Sequence, residues 1–164
     1  MPRCDRRIPA ASHAFLGRAS PADSRTVILL DTNVLIYASD ASAPHGEWAR
    51  GTIADAVSGE GAGVNAICLA ELCVGEADPA SAASRLREWG VAILGVPAVA
   101  AEACASAYGE YRRQRRRSSG QASPKTPLPD FFIGAHAQTM GWALATADTS
   151  RIATYFPSVP LISP

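Results

Sequence analysis

Lysine is almost missing from this sequence: Lys125 is the only one in 164 residues, and arginine supplies the rest of the 15 basic groups. Histidine is scarce as well. None of the three lies in an HExxH arrangement, so a histidine-ligated zinc hydrolase is not indicated. The four cysteines, Cys4, Cys68, Cys73 and Cys104, form no CxxC pair and no zinc-ligand spacing; they read as reduced thiols buried in a cytoplasmic protein. No long hydrophobic run is present. The longest, Val91 to Ala101, is broken by Gly95 and Pro97 and is too short to span a bilayer, so a soluble protein with no membrane partner is expected. No GxGxxG follows the first β-rich run, which disfavours a dinucleotide-binding oxidoreductase.

What is present is an ordinary globular composition, 48% apolar and 18% charged, which excludes a disordered chain, a collagen and a coiled coil. The length suits one domain with a short tail. Net charge is zero, but its distribution is uneven. Residues 1–25 carry five Arg against two Asp, and residues 112–125 carry five Arg and Lys125 with no acid. The remainder is strongly acidic. Basic patches suggest a polyanionic partner, and acids concentrated within a fold suggest a cation site. Residues 1–25 lack the apolar segment of a secretory signal and read as a poorly ordered extension, or as upstream sequence translated from an early start codon.

Short apolar runs alternate with helical segments. Thr26 to Asp31 reads as a strand buried on both faces, followed at once by a helix from Thr32. Further helices are predicted over His45 to Val57, Ala66 to Glu76, Pro79 to Trp89 and Pro97 toward Tyr111. Strands are expected around Val64, at Val91 to Pro97, at Ala143 to Thr146 and at the C-terminal VPLIS, with a helix opening at Leu128-Pro129-Asp130 and a helical turn at Asp148. Arg112 to Pro127 has no apolar periodicity and is expected to be a basic loop insertion in a domain covering 26–164. The alternation predicts an α/β sandwich with a mostly parallel central sheet.

Four acids stand out. Asp31 ends the first strand, Glu71 sits in an apolar helix, Asp130 opens a later helix and Asp148 follows a later strand. In parallel α/β folds ligands gather at the carboxyl ends of strands. Clustered carboxylates repel unless a cation lies between them, and hard oxygen donors suit Mg²⁺ or Mn²⁺, which can activate water for displacement at phosphorus. Each acid also has a plain structural reading. Asp31 and Asp148 could cap the helices after them, and Asp130 could answer a helix dipole. Glu71, flanked by Cys68, Leu69, Ala70, Leu72, Cys73 and Val74, is costly to bury without a partner, and its plain reading is an exposed helix face.

In context these residues resemble a known family. LLDTNVLIYA is similar to the opening motif of PIN-domain nucleases, NAICLAELCVGE to their second acidic motif, and LPDFFIGAHAQTMGWALATADTSRIATYFPSVPLISP to their C-terminal part. The match spans 26–164, is looser between Asp78 and Leu128, and looks most like VapC-type toxins of bacterial toxin–antitoxin modules. The resemblance implies a PIN-like three-layer sandwich and an Mg²⁺- or Mn²⁺-dependent endoribonuclease, usually a homodimer, held inactive by a cognate antitoxin. Asp31, Glu71, Asp130 and Asp148 would be catalytic and hold the metal, with Asn33, Thr146 and Thr32 in support. An RNA-binding or RNA-maturation protein of the same family is the alternative. His136, six residues past Asp130, falls nearly on the opposite side of its helix and reads as structural. Arg112, Arg113, Arg115, Arg116 and Arg117 are candidates for RNA contact, because an acidic site must still attract a polyanion. A phosphohydrolase working through an aspartyl phosphate is disfavoured, since Asn33 stands where its second acid belongs and no catalytic lysine pattern follows.

Overall fold

A computed structural model of the chain describes residues 26–119 and 124–164. The expected N-terminal extension, Cys4 and residues 120–123 of the expected loop lie outside the described residues. Five strands, β1 (Ile28–Leu30), β2 (Ala62–Asn65), β3 (Ala92–Leu94), β4 (Ala143–Ala145) and β5 (Leu161–Ile162), form one sheet in the order β3-β2-β1-β4-β5. Every pairing is parallel, with Leu29 opposite Gly63 on one side and Leu144 on the other. Leu29, Leu30, Val64, Leu144 and Ala145 are fully buried, as central strands covered by helices require.

Seven helices connect the strands: α1 (Thr32–Ser39), α2 (Gly46–Ser58), α3 (Ala66–Val74), α4 (Pro79–Glu88), α5 (Ala100–Ser119), α6 (Pro129–Met140) and α7 (Ser150–Tyr155). Their starts follow local chemistry. Asp31, Asn65 and Asp78 cap α1, α3 and α4 through side-chain oxygens, and Pro129 occupies the first turn of α6. Gly141 ends α6 in the left-handed conformation at φ 67° and turns the chain into β4. Within α6, Gly134 permits a close approach: a Cβ there would lie 2.4 Å from the Phe156 ring.

The structure corrects two expectations from the sequence. The helix after Pro97 begins at Ala100, Pro97 only accepting a hydrogen bond from the Ala100 amide, and it runs through Ser119 rather than ending near Tyr111. RRQRRR is therefore helical over the described part of the expected loop. The packed N-terminal half of α5, with Cys104, Ala107 and Tyr108 buried, supplies the costly helix nucleus. Extension through Arg and Gln, both good helix formers, then needs no apolar stripe of its own.

Strand order reverses between β1 and β4. β1 feeds α1 and α2 toward β2, whereas the chain leaving β3 passes through α5 and α6 to reach β4 on the opposite side of β1. A crevice forms at such a switch point, outside the carboxyl ends of the two strands.

Candidate active site

Asp31 immediately follows β1, and Thr146 to Asp148 immediately follow β4. Both segments empty into this crevice. α3 brings Glu71 and the first turn of α6 brings Asp130, so all four predicted acids line one cleft of about 360 Å³. Thr32, Asn33, Ile36, Ile133, Arg151 and Ile152 complete its walls.

Asp31 is the most tightly held acid. Its Oδ1 accepts the Thr32 amide at 2.7 Å, capping α1, so the structural reading and the site reading apply to the same side chain. Its Oδ2 accepts Asn33 Nδ2 and the Thr146 hydroxyl, each at 2.7 Å. Thr146 is fully buried, and its one hydroxyl proton points at Asp31 while its oxygen accepts the Asp148 amide at 3.1 Å. Asn33 Oδ1 in turn accepts the Ala147 amide at 3.1 Å. The polar groups after β1 and β4 are thus tied to one another by the Asp31 carboxylate and by Asn33, which also donates to the Thr146 hydroxyl oxygen at 3.1 Å.

Burial pushes the Asp31 carboxyl above its ordinary value of 3.8, against the lowering effect of Thr146 and Thr32, and the Asp130 and Glu71 charges push it further. The sign of the stability effect follows. A carboxyl whose folded pKa is raised binds more protons in the folded chain, so its ionisation costs stability as pH rises above 3.8 and costs most above the folded pKa. In metal-free buffer, the stability of Asp31→Asn relative to wild type is expected to increase with pH across that interval and then level off. Urea unfolding at a series of pH values measures it; a difference independent of pH would contradict the burial assigned to this carboxyl.

The other three acids are more open. Glu71 is exposed, in line with its plain reading and not buried as its apolar neighbours suggest, because α3 leaves one edge uncovered and Val74 beside it is 87% exposed. The Thr32 hydroxyl donates to Glu71 Oε2. Asp148 is exposed, and its pKa is lowered chiefly by the Ser150 hydroxyl, which donates to Oδ1 at 2.7 Å. Asp130 accepts from Arg151 in an ion pair. Sequence reasoning misses Arg151, although it lies three residues after Asp148 as the one basic residue of the C-terminal segment.

The donor set has the chemistry of a hard-cation site: carboxylate oxygens supported by hydroxyls and close enough for the Asp130 and Glu71 charges to act on the Asp31 carboxyl. Among the described residues, however, no group of three His, Cys, Asp or Glu side chains is arranged to hold a metal ion as it stands. Asp130 is held by Arg151 and Glu71 by Thr32.

The remaining candidates lie outside the cleft. His136 is 1% exposed, sits beside the Trp142 ring and has its pKa lowered by burial. Cys68 is buried beside the site with its thiol pushed up to about 12 by burial, and its Sγ donates to the Leu30 carbonyl. It is no nucleophile at neutral pH. The arginines of α5 contribute nothing to the cleft wall. Among the described residues, no helix is long and apolar enough to cross a membrane.

A family model described as the PIN domain matches residues 28–156, from β1 to the end of α7. The chain belongs to the PIN domain family. Its fold is similar to VapBC2 from Rickettsia felis, solved bound to a promoter DNA fragment, with 21% identity, a TM-score of 0.56, and coverage of 84% of this chain and 98% of that one. FitAcB from Neisseria gonorrhoeae gives 22% identity and a TM-score of 0.57, with coverage of 84% and 98%. A toxin–antitoxin complex from Klebsiella pneumoniae gives 24% and 0.57, with coverage of 84% and 97%. No curated protein matches the chain. At these identities the solved structures speak for the fold: the PIN architecture, with every strand pairing among the described residues parallel rather than mostly so.

Proposed function

We propose that this PIN domain is a divalent-metal-dependent endoribonuclease of the toxin–antitoxin type. The observation that carries the reading is the meeting of four carboxylates, from four separate segments, in one cleft at the switch point of the sheet. Asp31, Glu71, Asp130 and Asp148 would hold Mg²⁺ or Mn²⁺, which supplies a more acidic bound water and charge neutralisation at phosphorus. Asn33 and Thr146 fix the orientation of Asp31, and Thr32 fixes that of Glu71. Asp148, ionised and open to solvent, would help hold the metal and orient the attacking water. No side chain of the cleft needs to bond covalently to substrate. The similarity in fold to VapBC and FitAB complexes supports a cognate antitoxin as partner; cytoplasmic location and a homodimer complete the proposal.

Arg151 pairs with Asp130, so it competes with a cation for that carboxylate. The pair is partly solvated, and exposed ion pairs contribute about 0.2–1 kcal/mol. Arg151→Ala is therefore expected to tighten Mn²⁺ binding by up to about fivefold, read by calorimetry or electron paramagnetic resonance. Weaker binding in that variant would show that Arg151 assists the metal site.

The toxin reading is tested by inducing the chain alone in bacterial cells. Growth arrest accompanied by new RNA 5′ ends, both abolished by Asp148→Asn, is the expected result. Unhindered growth with abundant folded protein and intact RNA would contradict it.

A further inference from the structure

The arginine run of α5 is divided by the fold into two sets. Arg115 turns toward the protein, donating to the Tyr111 hydroxyl at 2.7 Å. Arg113 and Arg117, four residues apart and so on one face of the helix, line a groove of about 400 Å³ between α5 and α7, together with Glu110, Gln114 and Thr154. The same two arginines, with Arg112 and Arg116, also line a shallow recess of about 390 Å³ that opens beside Gly109. Among the described residues none of Arg112, Arg113, Arg116 and Arg117 is in a salt bridge.

The groove and the acidic cleft share α7 as a wall. Arg151 of this helix lines the cleft, and Thr154, one turn on along the same face, lines the groove. α7 is held against α5 by the Tyr155 hydroxyl, which donates to Gln114 Oε1 at 2.6 Å, and by the edge-to-face packing of Tyr155 on Tyr111. One face of α7 therefore runs from Arg151 at the cleft to a groove lined by Arg113 and Arg117.

We infer that a single RNA strand whose scissile phosphate lies in the cleft continues along α7 into the α5–α7 groove, where Arg113 and Arg117 hold its phosphates. The inference rests on the ribonuclease reading and adds the direction in which the substrate leaves the site. Arginine suits this task because its fork pairs with phosphate oxygens, and such contacts add affinity without sequence preference. Glu110, which also lines the groove, repels phosphate, so the contacts fall to Arg113 and Arg117.

The test uses the full chain and fluorescein-labelled oligouridylates of about 4 and about 12 nucleotides. In an Asp31→Asn background, the salt dependence of 12-mer binding is measured with and without Arg113→Ala/Arg117→Ala; Arg87→Ala on α4 is the control. Loss of two phosphate contacts should flatten the slope of log affinity against log salt by about 1.4 and weaken binding at 0.1 M salt on the order of 25-fold. With Asp31 intact, the same pair of substitutions should raise KM for the 12-mer and leave kcat, and the 4-mer, unchanged. An unchanged salt slope, or equal losses for both lengths, would overturn the inference. So would an unchanged slope together with arginine-dependent binding of poly-glutamate, which would assign the groove to an acidic protein partner. If the wild-type chain cleaves neither RNA, the ribonuclease reading fails separately, and the slope still decides whether the groove binds RNA.

Discussion

Asp31→Asn is expected to lower kcat and kcat/KM for metal-dependent RNA cleavage together, by at least about a hundredfold, while metal-free RNA affinity changes little. A cation at developing charge is worth several kcal/mol, and each 1.4 kcal/mol is a factor of about ten. Asp31 is the acid on which the site's order depends, since Thr32, Asn33 and Thr146 all donate to it. An amide keeps the helix cap but removes the charge and presents a donor where Asn33 and Thr146 already donate. The fold is expected to survive, because relief from burying a charge offsets the poorer hydrogen bonding, and the stability change should stay within about 1 kcal/mol. Steady-state kinetics on a labelled RNA, beside urea unfolding of the same preparation, measure both parts. Cleavage within tenfold of wild type would remove Asp31 from the catalytic set.

Phe131→Ala should be the most damaging substitution for stability, by about 3–5 kcal/mol. Phe131 is 1% exposed and contacts the rings of Tyr108, Tyr111, Tyr155 and Phe156 at centroid distances of 5.1 to 6.0 Å. Phe131 is on α6, Tyr108 and Tyr111 are on α5, and Tyr155 ends α7 with Phe156 just beyond it, so one ring joins the three helices that carry Asp130, Arg151 and the arginine groove. Its removal leaves a cavity that neighbouring rings cannot fill without abandoning their own contacts. A fall in the urea midpoint with an unchanged m-value is the expected signature. A loss below about 1.5 kcal/mol would mean that this aromatic cluster is not the core beneath the site.

Much of the molecule is legible in its amino-acid sequence. The apolar run ending at Asp31 is readable because a strand buried on both faces has few other compositions, and the alternation of strands and helices implies parallel pairing. Strand order is not legible, since nothing local states which strand flanks β1, and the convergence of the four acids depends on that order. Glu71 shows the limit of composition: apolar neighbours in sequence imply burial, yet α3 leaves Val74 and Glu71 at its open edge. Arg112 to Ser119 shows another limit. A polar stretch without periodicity resembles a loop, but a helix already nucleated by packed residues runs on through it. Asp31 and Asp148 are each open to a capping and a site reading in sequence, and the structure gives Asp31 both the cap and the cleft. Arg151 is silent in sequence because its meaning lies in Asp130, which is 21 residues away.

The central claim, that the carboxylates of this cleft cut RNA with a divalent metal, is tested most directly by one comparison. Purified, partner-free chain is incubated with RNA in Mg²⁺, in Mn²⁺ or in EDTA, beside an Asp31→Asn/Asp130→Asn double variant prepared identically. Cleavage that requires the metal and vanishes in the variant is the predicted result. Cleavage that persists in the variant, or in EDTA, would contradict the account.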